Sequence, residues 1–269
     1  QRLISSACMA GGGFKNNKMI KKNIIIDNLK INYYQSPEWK TDGTLVFLPG
    51  WQAKALIFKK IFDSVDNYVA IDWPGFGESE QSKETWGLRE YANFLKKFLG
   101  KLEIGKPVLI GHSFGGSVGI KYVVNGGQAQ KLILIDSAGI RRKSFKKFIY
   151  LIGAKIFKFF LAWPVVKRYK QKIRQKFYRT IDSEDYLNAG ELGDIYQKVI
   201  REDLTGDLPR VKTETVLIWG EDDKATPVAD GLLMNKLFYG SKLFIIKRAG
   251  HFPFLEQEKE FKKIFSECL

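Results

Sequence analysis

Gly111-His112-Ser113-Phe114-Gly115 follows the apolar run Pro107-Val108-Leu109-Ile110 and leads into Gly116-Ser117-Val118-Gly119-Ile120. The pattern is a G-x-S-x-G pentapeptide at a strand-to-helix junction, the context in which the motif acquires chemical meaning. Glycine two residues either side of the serine lets strand and helix pass close together and tolerates strained dihedrals. The hydroxyl is thereby raised above the sheet, at a helix N-terminus whose amides can face an anion. The chemistry such a serine can do is nucleophilic attack, provided that a base takes its proton.

Two histidines are present, His112 and His251. His112 adjoins the serine within the turn, where neighbouring side chains diverge, and reads as a packed residue. His251 lies in Ala249-Gly250-His251-Phe252-Pro253, a loop after the apolar run Leu243-Phe244-Ile245-Ile246. Pro253 is placed to open a final helix. If Ser113 is a nucleophile, His251 is its base by elimination. Imidazole suits the role because it titrates near neutral pH and passes a proton in both directions.

A carboxylate that orients the histidine is expected at the end of another strand. Thr215-Val216-Leu217-Ile218-Trp219-Gly220 is such a strand, followed by Glu221-Asp222-Asp223-Lys224-Ala225-Thr226-Pro227. Asp223 is the first choice, Asp222 the second, and Glu221 reads as turn-forming. Asp136, after the strand Lys131–Ile135, is a further candidate whose plainer reading is a turn or cap residue. The order serine, carboxylate, histidine is that of a nucleophile-elbow hydrolase.

The elements that must hold these residues alternate in type. Val46-Phe47-Leu48, Val69-Ala70-Ile71, Val108-Leu109-Ile110 and Leu132-Ile133-Leu134-Ile135 are continuously apolar. Strands buried on both faces of a parallel sheet read that way. Helical periodicity separates them, as in Leu88–Leu99 before Gly100. Asn23–Ile26 and Leu29–Tyr34 flank Asp27-Asn28, the signal of an opening hairpin. Hydrophobic residues make up 45% of the chain, enough for a large core. These features give an α/β class with a mostly parallel, doubly wound central sheet.

The chain resembles the α/β-hydrolase fold family, and four further segments carry the likeness from about Ile24 to the C-terminus, with a gap in the middle. Leu45–Trp51 resembles the family's strand and oxyanion loop. Asp72-Trp73-Pro74-Gly75-Phe76-Gly77-Glu78-Ser79 resembles its D-x-P-G-x-G-x-S loop. Trp219–Asp223 resembles its acid loop, and Gly250–Glu256 its histidine loop. The resemblance implies that the backbone N–H groups of Trp51 and Phe114 form an oxyanion hole. Pro49 stands where the family usually has histidine. The backbone donor one residue beyond Gly50 is unaffected, but the loop's hydrogen bonding should differ.

Serine at the elbow argues against the relatives that use aspartate there, the haloalkane dehalogenases and epoxide hydrolases. It implies acyl transfer through an acyl-enzyme. The expected function is hydrolysis of a carboxylic ester of small or medium acyl chain by Ser113, Asp223 and His251, with no cofactor and no metal. The alternatives are a carrier-linked acyl-ester or thioester hydrolase, a lipid hydrolase, a C–C bond hydrolase, and a non-catalytic binding protein on the same fold. No His/Cys cluster or phosphate-binding glycine motif points elsewhere.

The formal net charge is +15, and Arg141 to Arg179 holds fourteen Lys and Arg and no acid. Residues 140–205 fall where the family inserts a helical cap between two parts of the core, 19–139 and 206–269. Phe145, Phe148, Ile149, Ile152, Ile156, Phe159, Phe160 and Trp163 follow helical spacing up to Pro164, and Val166, Tyr169, Ile173 and Phe177 make a second stripe. One reading is a cap packed on the core with its lysines in water. The sharper reading is a basic amphipathic face for an anionic membrane surface or an acyl carrier protein. Nucleic acid is not expected, because the aromatics sit at core spacing. Lys146, Lys147, Lys155 and Lys158 argue against a membrane span. Residues 1–18 read as a leader, upstream or cloning-derived segment ahead of Met19. Two cysteines, Cys8 and Cys268, indicate no disulfide framework, so a cytoplasmic or membrane-peripheral location is expected.

If the basic face recruits an anionic partner, binding will weaken steeply with salt, since exposed charges are screened over about 8–10 Å at physiological ionic strength. Replacing Lys167, Arg168, Lys170 and Lys172 with glutamine is expected to abolish that binding while sparing turnover of a small neutral ester. Co-sedimentation with anionic and neutral liposomes, beside a pull-down with acyl carrier protein, measures it. Salt-insensitive results in both return the segment to a solvated cap.

Overall fold

A computed structural model describes residues 19–141 and 192–269. The expected stripes at 145–177, and residues 1–18, lie outside the described residues. The chain opens with the hairpin β1 (Ile20–Ile26) and β2 (Leu29–Gln35). Asp27 and Asn28, at φ 51° and 62°, make its two-residue turn. Such positive dihedrals suit the right-handed twist of the flanking strands and favour Asp and Asn.

There follow β3 (Leu45–Leu48), α1 (Lys59–Phe62), β4 (Tyr68–Ile71), α2 (Leu88–Lys101), β5 (Val108–His112), α3 (Phe114–Val124) and β6 (Lys131–Ile135). Beyond the undescribed stretch come α4 (Gly193–Arg201), β7 (Glu214–Gly220), α5 (Val228–Leu237), β8 (Lys242–Ile246), α6 (Pro253–Glu256) and α7 (Glu258–Cys268). The strands form one sheet in the order β1-β2-β4-β3-β5-β6-β7-β8. Among the described strands only the β1–β2 and β2–β4 pairs are antiparallel. This is the mostly parallel α/β sheet expected from the pattern, in agreement with the arrangement that the resemblance implies. Helix α2 passes through Gly100 to end at Lys101, and the final helix is broken at Gln257 rather than continuous.

The unbroken apolar strands are explained by burial on both faces. Val46, Leu48, Val69, Ile71, Leu109, Leu132, Leu134 and Leu217 face one cluster with Leu95, Phe98, Val118 and Met234. Their alternates Phe47, Ala70, Ile110, Ile133, Val216 and Ile218 face the other, with Phe58, Phe62, Phe254, Phe261 and Phe265. Burying each such side chain stabilises the fold by roughly 1.5–3 kcal/mol. Among the described residues no helix is long and apolar enough to cross a membrane.

Strand order reverses between β3 and β5, because β4 lies outside β3 while β5 lies on its other side. At such a switch point the loops beyond the carboxyl ends part and leave a crevice. The loop after β4 braces the loop after β3. Asp72, fully buried, accepts hydrogen bonds at Oδ1 from Ala55 N (2.6 Å) and at Oδ2 from Asn32 Nδ2 (2.8 Å) and Glu78 N (3.1 Å). Ser79 Oγ closes the loop on the Asp72 carbonyl at 2.7 Å, and Trp73 Nε1 donates to Pro49 O at 3.0 Å. The D-x-P-G-x-G-x-S segment is therefore structural, and Pro49 contributes its carbonyl to the brace.

Asp72→Ala leaves these donors unpaired in the interior. Unsatisfied groups of this kind cost about 1–3 kcal/mol each. Urea unfolding is expected to show a loss of about 3 kcal/mol or more, and a loss under 1 kcal/mol would show that the brace is dispensable.

Candidate active site

Ser113 sits between β5 and α3 at φ 50°, ψ −114°. A non-glycine residue in that region costs on the order of 1–3 kcal/mol and persists only when neighbours hold it. They do: Ser113 N donates to Ile135 O at 3.0 Å, and Ser113 O accepts from Gly116 N, Ser117 N and Ala138 N at 3.0–3.3 Å. The turn also requires that helix and sheet nearly touch. A Cβ on Gly115 would lie 2.0 Å from Leu48 O, and one on Gly111 2.6 Å from Gly116 Cα. Ser113 itself remains partly exposed.

Two amides flank this serine. Phe114 is the first residue of α3, where N–H groups have no intrahelical acceptor. Trp51 occupies the first corner of a turn closed by Ala53 N donating to Gly50 O at 3.2 Å. Gly50 abuts the elbow, since a Cβ there would be 3.4 Å from Ser113 Cβ. The Trp51 ring packs on Phe76, Phe114 and Tyr196 of α4, at centroid distances of 4.9, 5.6 and 5.2 Å. Aromatic side chains thus wall one side of the site.

The acid and histidine loops converge from β7 and β8. Asp223 is buried, whereas Asp222 and Glu221 are exposed. Asp223 Oδ1 accepts from Ala225 N (2.7 Å) and Thr226 N (3.0 Å), and Oδ2 accepts from Thr226 Oγ1 (2.7 Å). His251 Nδ1 lies 2.8 Å from the same Oδ2, and the network assigns the proton to Nδ1. Burial opposes ionisation of Asp223, but His251 and the Thr226 donors outweigh it and hold the carboxyl below the usual carboxylate range. Glu256 fixes the histidine loop by accepting from Gly250 N (2.7 Å) and Phe252 N (3.0 Å).

His112 points away from any base role. It is fully buried, and its Nε2 lies 2.8 Å from His251 O. Burial first, then the neighbouring His251, push its pKa down to about 3, so the ring is neutral and Nε2–H donates to that carbonyl. Its ring packs on Phe252 and Phe254. Asp136 is also fully buried, at φ 42°, with Oδ1 accepting from Gly220 N at 2.8 Å. Burial, with Asp223 and Glu256 nearby and the Gly220 amide opposing, raises its pKa to about 9.

The structure therefore brings His251 and Asp223 into contact and separates Asp222 and Glu221 from them. It sets the strained Ser113 beside the Trp51 turn. Sequence reasoning missed Thr226, Glu256 and the buried setting of Asp136. Thr226 had a local signal, because an aspartate that accepts from the N–H groups two and three residues on forms an Asx-type turn. The other two depend on contacts between distant loops.

The chain belongs to the alpha/beta hydrolase family, whose model matches residues 45–264. It is a hydrolase by family. An uncharacterized hydrolase, YugF, of Bacillus subtilis is 26% identical over 86% of this chain and 90% of that one. An Escherichia coli 2-hydroxy-6-oxononadienedioate/2-hydroxy-6-oxononatrienedioate hydrolase is 21% identical over 80% of each. Among solved structures, a membrane phospholipase A described as a bacterial virulence factor matches with a TM-score of 0.72 and 23% identity, over 93% of this chain and 85% of that one. An esterase of Exiguobacterium antarcticum matches with a TM-score of 0.69 and 20% identity, over 92% and 98%. The two structural matches show the fold.

The buried, neutral His112 has a consequence for stability. Its folded pKa, about 3, lies below the roughly 6.5 of an unfolded histidine. The unfolded chain then binds the extra proton, so stability is full above the unfolded value and is lost as pH falls towards the folded one. Between pH 7 and 5 the wild type is expected to lose about 2 kcal/mol more than His112→Gln, from a limiting slope of about 1.4 kcal/mol per pH unit. Chemical denaturation at the two pH values measures it, and parallel losses would place His112 in contact with solvent.

Proposed function

We propose that this protein is a serine esterase that hydrolyses a carboxylic ester of small or medium acyl chain through an acyl-enzyme. The observation that carries the reading is the 2.8 Å contact of His251 Nδ1 with the buried Asp223, on the same edge of the sheet as the strained Ser113. His251 Nε2 takes the Ser113 proton as Oγ attacks the ester carbonyl. Asp223 holds the opposite nitrogen protonated and stabilises the imidazolium. The carbonyl oxygen, now an oxyanion, takes hydrogen bonds from Trp51 N–H and Phe114 N–H, each worth about 3–4 kcal/mol in comparable sites. Collapse expels the alcohol, which receives its proton from His251. Water, deprotonated by His251, then releases the carboxylic acid and frees Ser113.

A C–C bond hydrolase is the second reading. The Escherichia coli relative carries a name of that chemistry and matches over 80% of its length. Both reactions expel a leaving group from a carbonyl, so the substrate decides between them. Hydrolysis of p-nitrophenyl esters of increasing acyl length, compared with cleavage of 2-hydroxy-6-oxononadienedioate, separates the two.

Ser113→Ala and His251→Ala are each expected to lower ester kcat by about 10³–10⁶, and the double variant no further, because residues of such a unit are not additive. Asp223→Asn should cost about 10⁴, against less than tenfold for Asp222→Asn. Undiminished hydrolysis by Ser113→Ala would sink the mechanism, and a larger loss in Asp222→Asn would move the acid.

A further inference from the structure

Asp136 is a fully buried carboxyl that the mechanism above does not use. Its side chain is enclosed at the ends of β6 and β7. Oδ1 is occupied by the Gly220 amide, while Oδ2 is buried and receives no N–H or O–H among the described residues. An ionised carboxyl would leave that oxygen bare in the interior, which is costly. Besides burial, the negative charge of Asp223 disfavours its ionisation. Two adjoining carboxylates repel, so one of the pair keeps its proton. Thr226 ties the two residues together: Oγ1 reaches Asp223 Oδ2 at 2.7 Å and the Asp136 carbonyl at 3.0 Å.

We propose that Asp136 is a positioning residue, a carboxylic acid whose Oδ2–H donates to Asp223 and holds that carboxylate against His251. The proposal rests on the reading of Asp223 and His251 as acid and base. The proton belongs on Asp136 because the charge-stabilising groups all converge on Asp223: the Ala225 and Thr226 amides, the Thr226 hydroxyl and His251. The groups facing Asp136 add no cation. Asp223 comes from the loop after β7 and Glu256 from α6, and both are acids. His251, from the loop after β8, is already engaged by Asp223. The pair shares one proton and titrates as a unit. Asp136, raised to about 9, ionises only in alkali, where a second negative charge would push Asp223 off its station.

Asparagine mimics the protonated acid. Its Oδ1 can keep the Gly220 amide, and its Nδ2 can donate to Asp223. Asp136→Asn is expected to keep ester kcat/KM within about threefold of wild type at pH 7.5 and to lose the wild-type decline above pH 9. Asp136→Ala, which cannot donate, is expected to fall roughly tenfold to a hundredfold, the worth of one hydrogen bond to a charged group. A readout free of activity uses the Ser113→Ala protein. Its infrared spectrum at pH 7 should contain a protonated-carboxyl band that disappears on alkaline titration and is missing from Ser113→Ala/Asp136→Asn. Absence of that band, an Asn variant as impaired as Ala, or an unchanged alkaline decline in Asp136→Asn each overturns the proposal. A band that behaves as expected, with Ser113→Ala still hydrolysing ester at the wild-type rate, would leave the shared proton standing and remove the catalytic reading instead.

Discussion

Helix α3 passes so close to strands β3 and β5 that no side-chain carbon fits at Gly111 or Gly115. A methyl group at Gly115 would overlap the Leu48 carbonyl, and one at Gly111 would press into Gly116. Neither neighbour is a flexible side-chain tip that can swing away. The crossing bends the chain at Ser113 into a region that costs energy, and the elbow survives because four backbone hydrogen bonds hold it. From that bend follow the exposure of the serine, the start of α3 at Phe114 and the proximity of the Gly50–Ala53 turn. The parallel sheet contributes the rest, since all its central strands end at this edge and deliver their loops to one place.

At that edge a second constraint takes over, the low tolerance of a buried space for charge. Two histidines and two aspartates meet there, and their protonation divides by environment. His112 is neutral through burial and spends its N–H on the His251 carbonyl. Asp136 is pushed towards the neutral acid, while Asp223 is held ionised by donors. Groups of identical chemistry thus act differently because one has donors around it and the other does not. The arrangement buries a single carboxylate beside a single imidazole, which costs far less than two of each.

The parts legible in the sequence were those written in neighbouring residues. The Asp27-Asn28 turn, the apolar strands and the G-x-S-x-G junction each depend on a few consecutive side chains, and the structure has all three. Asp223 over Asp222 was a preference by spacing, and burial separates them, because only Asp223 turns inward to His251. The Asp72 loop was recognised as a motif, but its bracing of Ala55 and Asn32 is made across 17 and 40 residues and leaves no local trace. Asp136 read as a turn residue because a single aspartate after a strand usually is one. Its burial depends on β7 and Gly220, 84 residues away. Gly100 looked like a helix stop, yet α2 continues one residue further because its apolar face is already docked.

The family's shared geometry serves any carbonyl that can lose a leaving group, so relatives with unlike names are compatible with one elbow. Near the serine stands the aromatic wall of Trp51, Phe76, Phe114 and Tyr196. Tyr196 belongs to α4, and α4 is tethered rather than loosely laid on the core. Arg141 donates to the carbonyls of Glu202 (3.0 Å) and Val199 (3.4 Å), at the end where the helix dipole favours a cation. Glu202 in turn accepts from Leu88 N at the start of α2. Residues 142–191 are therefore bracketed by a joint that fixes Arg141 to α4. Tyr196 packs on Trp51, whose amide is, on the proposed mechanism, a donor to the oxyanion. On that proposal a substrate lying against the aromatic wall would also lie beside an oxyanion donor, so contacts that hold it could act on its transition state as well.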